Sequence, residues 1–415
     1  MGGASRSPPM SPALSPRAAW PMLLALTAAF GMSQAFRTMA AILAPPLQAE
    51  FGLSPQQIGL FAASFHFAFG ALQLLIGVGM DLFGLRRTVL TAFPLTVLGA
   101  GLSAGSHSYE ALIAGQVLIG IGCAPAFLAC TLFIAQQFPG ERFAMLSGLT
   151  LMLGGIGMLV TGSPLAWLIE ARSWRAGMWV LAAGAALAWV LVWWRVRPPP
   201  PAAPPQGRES LGQALRGFGA LLLLPYTWGI MLMGAANYAS FMALRGLWLG
   251  PLLIDRHGLS LVASGHVALA VSVVSLLSPP LFGRFDPPSA RRRRRLIVGC
   301  ALATAALFAL IGLLRGLLAD TVLALAVALL SGFMVLQYAD VRAAYPPAVI
   351  GRALSVFTMA MFIGVALVQW GSGWVASQAA ARGADPFAAA LLAVAAMLAL
   401  GALAYRLLPQ PPQRA

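Results

Sequence analysis

Residues Ile58 to Ser106 read IGLFAASFHFAFGALQLLIGVGMDLFGLRRTVLTAFPLTVLGAGLSAGS. Two apolar runs, near 58–80 and 88–106, flank a short turn that carries one aspartate and two adjacent arginines. A helix of about 20 residues crosses the ~30 Å of hydrocarbon in a bilayer. In hydrocarbon each backbone amide needs a partner within the protein, which an apolar segment obtains by being helical. The stretch therefore predicts two membrane helices joined by a charged turn in water.

The pattern recurs along the whole chain. Of 415 residues, 60% are hydrophobic and 9% charged, against about a quarter charged in soluble domains. Lipid must be the solvent for much of such a surface. Apolar windows lie near 20–44, 58–80, 88–106, 110–135, 143–169 and 174–194, then near 220–249, 260–282, 296–317, 320–341, 350–376 and 386–407. The reading is an all-α membrane protein with twelve transmembrane helices in two pseudo-symmetric six-helix halves, 20–194 and 220–407. Residues 195–219 open with Arg195, Arg197 and Pro198 to Pro201, too proline-dense for continuous helix, and are expected to link the halves. Residues 1–19 and 408–415 are expected to be cytoplasmic tails. The first apolar run outlasts the h-region of a signal peptide.

The halves resemble each other. PLQAEFGLS from Pro46 is echoed by PLLIDRHGLS from Pro251, and FPGERFAMLSG from Phe138 by YPPAVIGRALS from Tyr345. Both pairs are offset by about 206 residues. Duplicated halves with a site between them are a recurring transporter architecture.

All 26 basic residues are arginine, and the net charge is +15. Nineteen of them fall on the side that holds both termini and the linker, and five (Arg172, Arg175, Arg256, Arg315 and Arg382) fall in the opposite loops. Positive-inside bias then puts both termini in the cytoplasm and the chain in the cell inner membrane. This accounts for the charge without nucleic acid as a partner. The run Arg291 to Arg295 suits anionic lipid headgroups. Cys123, Cys130 and Cys300 lie within spans and read as buried thiols.

Within GVGMDLFGLRR, Gly77, Asp81, Gly84, Arg86 and Arg87 resemble the signature loop of the major facilitator superfamily, in which a glycine, an aspartate, a glycine and two basic residues follow in that order. SWRAGMW from Ser173 is similar to that family's entry to span six, and LFGRF with Asp286 is a degraded copy of the loop in the second half. The resemblance covers essentially the whole chain. It implies a monomeric secondary transporter that works by alternating access, without cofactor or metal. It also implies that the signature loop holds the inward-closed state together away from substrate. Small residues there would let spans two and eleven approach.

Polar groups inside spans are costly and tend to line the cavity. Arg37 lies deep in the first span and cannot shed its proton. Arg245 lies in span seven, the repeat counterpart of span one. Two arginines so placed resemble the arrangement in organophosphate and organic-anion exchangers of the superfamily, and guanidinium forks grip carboxylate or phosphate oxygens. Arg37, Arg245, Gln34, His66, Gln116, Tyr238 and Gln337 are the candidate substrate-binding residues. None of the eleven acidic residues falls clearly at mid-membrane, so the cavity carries net positive charge and favours an anion. His66 and His266 are candidates for proton coupling. Asp340 and Arg342 are expected to form a gating ion pair.

Other readings fit less of the sequence. In span five, LMLGGIGMLVTGSP (Leu151 to Pro164) is similar to the glycine-rich motif of drug/proton antiporters but lacks its terminal glycine pair. Met231 with Met233, and Met359 with Met361, are spaced by two and present different helix faces, a poor chelate for a Cu(I) transporter. A non-transporting membrane receptor needs no polar cavity. No nucleophile–base pair or phosphate-binding loop points to an enzyme.

Overall fold

The computed structural model describes residues 16–139, 142–197, 211–287, 289–346 and 349–411. Among these residues, ten helices are long and apolar enough to cross a membrane, and two bent helix pairs bring the number to twelve. The first span is Pro16–Thr38 continued by Ala40–Phe51, and the second Pro55–Ala71 continued by Gln73–Phe83. The third joins Leu85–Ala92 to Pro94–Ala104, the fourth Tyr109–Cys123 to Ala126–Gln137, and the fifth Phe143–Val160 to Ser163–Ala171. The sixth, Trp174–Arg195, is unbroken.

The seventh span runs as α-helix over Pro225–Ala243, widens to a π-helical turn at Leu244–Trp248, and widens again at Leu252–Arg256 after Leu249–Pro251. The eighth (Leu261–Arg284), ninth (Ala290–Leu313), eleventh (Ile350–Ala381) and twelfth (Pro386–Leu407) are continuous. The tenth passes from Leu317–Leu330 through one 3₁₀ turn into Met334–Ala344.

The sequence explains most of the breaks. Pro94, Pro125 and Pro164 sit at the joints of spans three, four and five, where a residue without an N–H starts a new helix at no cost. In span one, Pro45 and Pro46 lie just beyond a joint at Met39.

Several boundaries differ from the expected ones. Spans one and seven are longer, ending at Phe51 and Arg256, because the helix passes through Pro45, Pro46 and Pro251 without ending. Within the expected linker, Leu211–Leu222 is a helix that turns by 88° into span seven. Its prolines stop at Pro205, and beyond them nothing opposes helix. Residues 198–210, and both ends of the chain (1–15 and 412–415), lie outside the described residues.

Spans pack through bare backbone. A Cβ built on Gly157 would stand 1.8 Å from the carbonyl oxygen of Gly31, and one on Gly59 2.5 Å from that of Gln369. Spans five and one, and spans two and eleven, therefore touch main chain to main chain. Gly77 and Gly84 of the signature loop have nothing within 4 Å of such a Cβ, so they do not mediate the approach of spans two and eleven. Gly84 serves the turn instead, with φ at +79°.

At the face away from the termini the two halves are joined. The Gln56 amide donates to Ser377 Oγ (2.9 Å), and Ser163 Oγ lies 2.7 Å from His266 Nδ1. Gly250 of span seven sits where a Cβ would be 1.9 Å from Ala41 O. That carbonyl is four residues before Pro45, which has no N–H to offer it. The Asp385 carboxylate caps the twelfth span through the Phe387 and Ala388 amides and pairs with Arg256 at 2.8 Å. Asp320 bonds His257 at 2.7 Å and lies 3.5 Å from Arg256.

Valine at Gly157 is expected to force spans one and five apart, at a cost of about 1–3 kcal/mol. A lower melting midpoint in detergent measures it. Gly148→Ala, facing open space, is the matched control and should not lower the midpoint. A pH dependence is also expected at Asp385. Burial pushes its carboxyl up, but the Ala388 amide, Arg256 and the Phe387 amide together hold it below the usual carboxylate range. A depressed folded pKa gives stability that is present above about pH 3.9 and lost as pH falls through the lower, folded value. Acid melting curves of the native chain should show that loss, and Asp385→Asn should flatten it.

Candidate functional site

Arg37 occupies the last turn of the first helical segment, near the middle of the bundle, and is 7% exposed. One terminal nitrogen donates to Gln34 Oε1 at 2.7 Å and reaches Tyr238 Oη of span seven at 3.5 Å. The other donates to Ser33 Oγ at 3.3 Å. Its Nε has no partner. Aromatic rings surround the guanidinium, with its carbon 4.6 Å from the Phe69 ring centre, 4.7 Å from that of Phe362 and 5.9 Å from that of Phe30. Ring faces attract a desolvated cation. They leave its charge uncancelled, and no carboxylate among the described residues pairs with it.

His66 is buried in the same region. Its Nδ1 lies 3.1 Å from Ala62 O, the Gln369 side chain of span eleven is a further polar neighbour, and the ring stacks on Phe362. Gln369 also donates to Met242 O. Gln116 is buried with Nε2 unpartnered. Unpaired polar atoms in a buried region are uncommon in folded proteins and need an account. The Nε of Arg37 is such an atom, and it belongs to an unbalanced cation. Gln337 is differently placed. It accepts from Asn237 Nδ2 at 3.4 Å and donates to Met233 O at 3.5 Å, which ties span ten to span seven.

Arg245 is fully buried (0% exposed) and does not share the surroundings of Arg37. Its Nε donates to Ser272 Oγ at 2.7 Å within the second half. Its terminal nitrogens cross to the first half, reaching Met158 O at 3.0 Å, Thr38 O at 3.4 Å and Thr161 Oγ1 at 3.4 Å. Thr38 and Thr161 are themselves joined by a 2.6 Å hydroxyl contact. His266 is exposed and linked only to Ser163, far along the chain from His66.

The gating candidates disperse. Arg86 donates to the Trp193 and Val196 carbonyls and so caps the end of span six, a favourable place for a cation. Arg87 is exposed, and the Asp81 side chain lies outside the described residues. The expected Asp340–Arg342 pair is absent. Asp340 instead receives Arg294 Nε at 2.9 Å and Tyr405 Oη at 2.7 Å, joining the starts or ends of spans nine, ten and twelve. Residues two apart on a helix face different ways, so Arg342 points out to solvent.

The sequence reading did not single out Ser33, Thr38, Thr161 or Ser272, or the rings of Phe30, Phe69 and Phe362. Only Ser33 carried a signal, lying four residues before Arg37 on the same helix face. A groove of about 1010 Å³ lies between spans seven, eleven and twelve. It is walled by residues such as Leu367 and Leu400 that face out of the bundle, and it includes none of the candidates.

Known proteins share this architecture. A bacterial homologue of the human lysosomal transporter Spinster, solved in an inward-facing, unoccupied conformation, superposes with a TM-score of 0.74 at 18% identity, over 94% of this chain and 97% of that one. The hexuronate transporter of Bacillus subtilis is 23% identical over 308 residues, 71% of this chain and 72% of its own length. The D-galactonate transporter of Escherichia coli is 26% identical over 167 residues, 40% of this chain and 38% of its own. The sequence profile of the Major Facilitator Superfamily matches residues 23–369, and the chain belongs to that superfamily.

Proposed function

We propose that this protein is a secondary transporter of a small organic anion bearing a carboxylate, of the size of a sugar acid, and that Arg37 is the group that holds the anion. The observation that carries the reading is the state of Arg37. It is a buried, permanently charged guanidinium with a free Nε and no carboxylate partner. A carboxylate reaching Arg37 can take Nε and one terminal nitrogen side by side, the paired geometry in which such bonds are strongest. Gln34 and Tyr238, already on the other side of the guanidinium, would meet hydroxyl groups of the same solute.

Relatives named for hexuronate and D-galactonate transport handle solutes of this chemistry, which supports the same class here. The chain would work in the cell inner membrane as a monomer, with both termini cytoplasmic and residues 20–194 and 220–407 rocking about the central site. The excess of arginine on the side of the termini supports that orientation.

A melting-point screen of the detergent-purified protein tests the reading, using D-galactonate, D-glucuronate, D-xylose and a cationic dye, repeated on Arg37→Ala. Ligand at a hundred times its dissociation constant stabilises the native state by about 2.7 kcal/mol. The two sugar acids are expected to raise the native midpoint and to lose that effect in the variant. If the neutral sugar or the cation stabilises both proteins equally, Arg37 is a packing residue and the anion assignment is wrong.

A further inference from the structure

Arg245 shares no hydrogen-bond partner with Arg37 and is fully buried, and its surroundings are unusual in kind. A completely buried cation ordinarily needs an acid, and none is present among its partners. What it has instead is the exposed ends of two broken helices. In an unbroken first span the amide of Ile42 would take the carbonyl of Thr38. At the Met39 joint that amide turns to Met39 O at 3.1 Å, and Leu43 shares the same acceptor at 3.0 Å. Thr38 O is thereby released.

The fifth span does the same thing. The amide of Gly162 would reach Met158 O in a continuous helix, but it bonds Leu159 O at 3.0 Å, and the helix stops at Val160. Met158 O is released from the ladder and is shared between the Thr161 hydroxyl, at 3.0 Å, and Arg245. A helix C-terminus carries the equivalent of about half a negative charge. Two such ends, from Pro16–Thr38 and Phe143–Val160, converge on a single guanidinium from the opposite half.

The π-helical turn at Leu244–Trp248 that carries Arg245 belongs to span seven, and wide turns of this sort recur at functional positions. Its neighbour Gly246 makes the approach possible, since a Cβ there would lie 3.1 Å from Arg37 O. These contacts stand at the level where the halves are closed on the face away from the termini, alongside Gly250 against Ala41 and Ser163 against His266.

We propose that Arg245 is an anion-displaceable lock on the outer side of the transporter. With the outer side closed, the two helix ends supply its acceptors. Opening that side carries spans one and five away from span seven and strips a permanent cation of three of its four contacts. The state is reached readily only when a solute carboxylate takes their place, because an ionised acceptor binds a guanidinium more strongly than carbonyls do. Outward opening is thus coupled to the presence of an anion by the charge of Arg245. Only the identity of the displacing anion rests on the function proposed above; the lock itself does not.

The test measures the outer separation directly. Spin labels at His107→Cys and Ala384→Cys, on exposed outer turns of the two halves, report it by pulsed electron resonance, with Cys123, Cys130 and Cys300 replaced by alanine. The native chain without solute is expected to give mainly the short distance, and saturating D-galactonate to add a longer one. Arg245→Gln, which keeps polar bulk and removes charge, is expected to show the long distance as the majority without solute and no further response to it. Should that variant not fold, Ser272→Ala removes only the Nε acceptor and is expected to shift the distribution part of the way.

An unchanged short distance in Arg245→Gln, or in Ser272→Ala where the glutamine variant does not fold, overturns the lock. If galactonate raises the melting midpoint through Arg37 yet leaves the native distance untouched, displacement by the solute is overturned. If galactonate has no effect in either assay, the solute assignment fails, and the solute-free distances still decide the lock.

Discussion

A cation that cannot lose its proton has to be given acceptors wherever it is buried. Much of this molecule is organised around two such cations. Arg37 is accommodated by one amide oxygen, two hydroxyl groups and the faces of three aromatic rings. Arg245 is accommodated by a serine, a threonine and two main-chain carbonyls. Neither solution uses a carboxylate. The first therefore keeps its capacity for a negative partner, and the second spends its donors on joining the halves. One residue type, at related positions of duplicated halves, would under the proposed function serve a binding site in one case and a closure in the other.

Burying charge this way requires that main chain be available, and the interrupted helices provide it. Joints at Met39 and at Thr161–Gly162 fall in different spans, yet they release carbonyls toward one point. The same reliance on main chain governs packing. Where glycines let backbones touch, as at Gly157 with Gly31 and Gly59 with Gln369, the interface loses side-chain bulk and gains register. In lipid there is little hydrophobic drive for helices to associate, so close fit has to take its place.

The fold was legible because it rests on properties that any window of sequence displays. Apolar runs of sufficient length, a charged turn at 77–87 and an arginine excess on one side are all local. Arg37 was legible for a related reason, since its depth in the first span follows from counting. The arrangement around Arg245 was not. Its acceptors are carbonyls of Thr38 and Met158, residues whose identity says nothing about whether their oxygen is free. Only the joints reveal that, and Met39 carries no proline or glycine to mark one. The pairing of Asp340 was missed for a different reason. Its partner, Arg294, lies 46 residues away within a run of five arginines, and proximity along the chain pointed to Arg342. The signature loop was found by its spacing, but Gly84 serves the turn, and neither it nor Gly77 serves the approach of two spans.

The interruptions are unevenly shared. Five of the first six spans are made of two shorter rods, whereas spans eight, nine, eleven and twelve run without a joint. A continuous helix resists bending along its whole length, because every curvature strains a ladder of hydrogen bonds. A jointed one can flex where that ladder is already missing. The two halves, alike in outline, thus differ in where they can flex: the first at a joint in five of its spans, the second at the wide turns of span seven and the 3₁₀ turn of span ten. A displacement between them then has more places to be absorbed by bending in the first half than in the second.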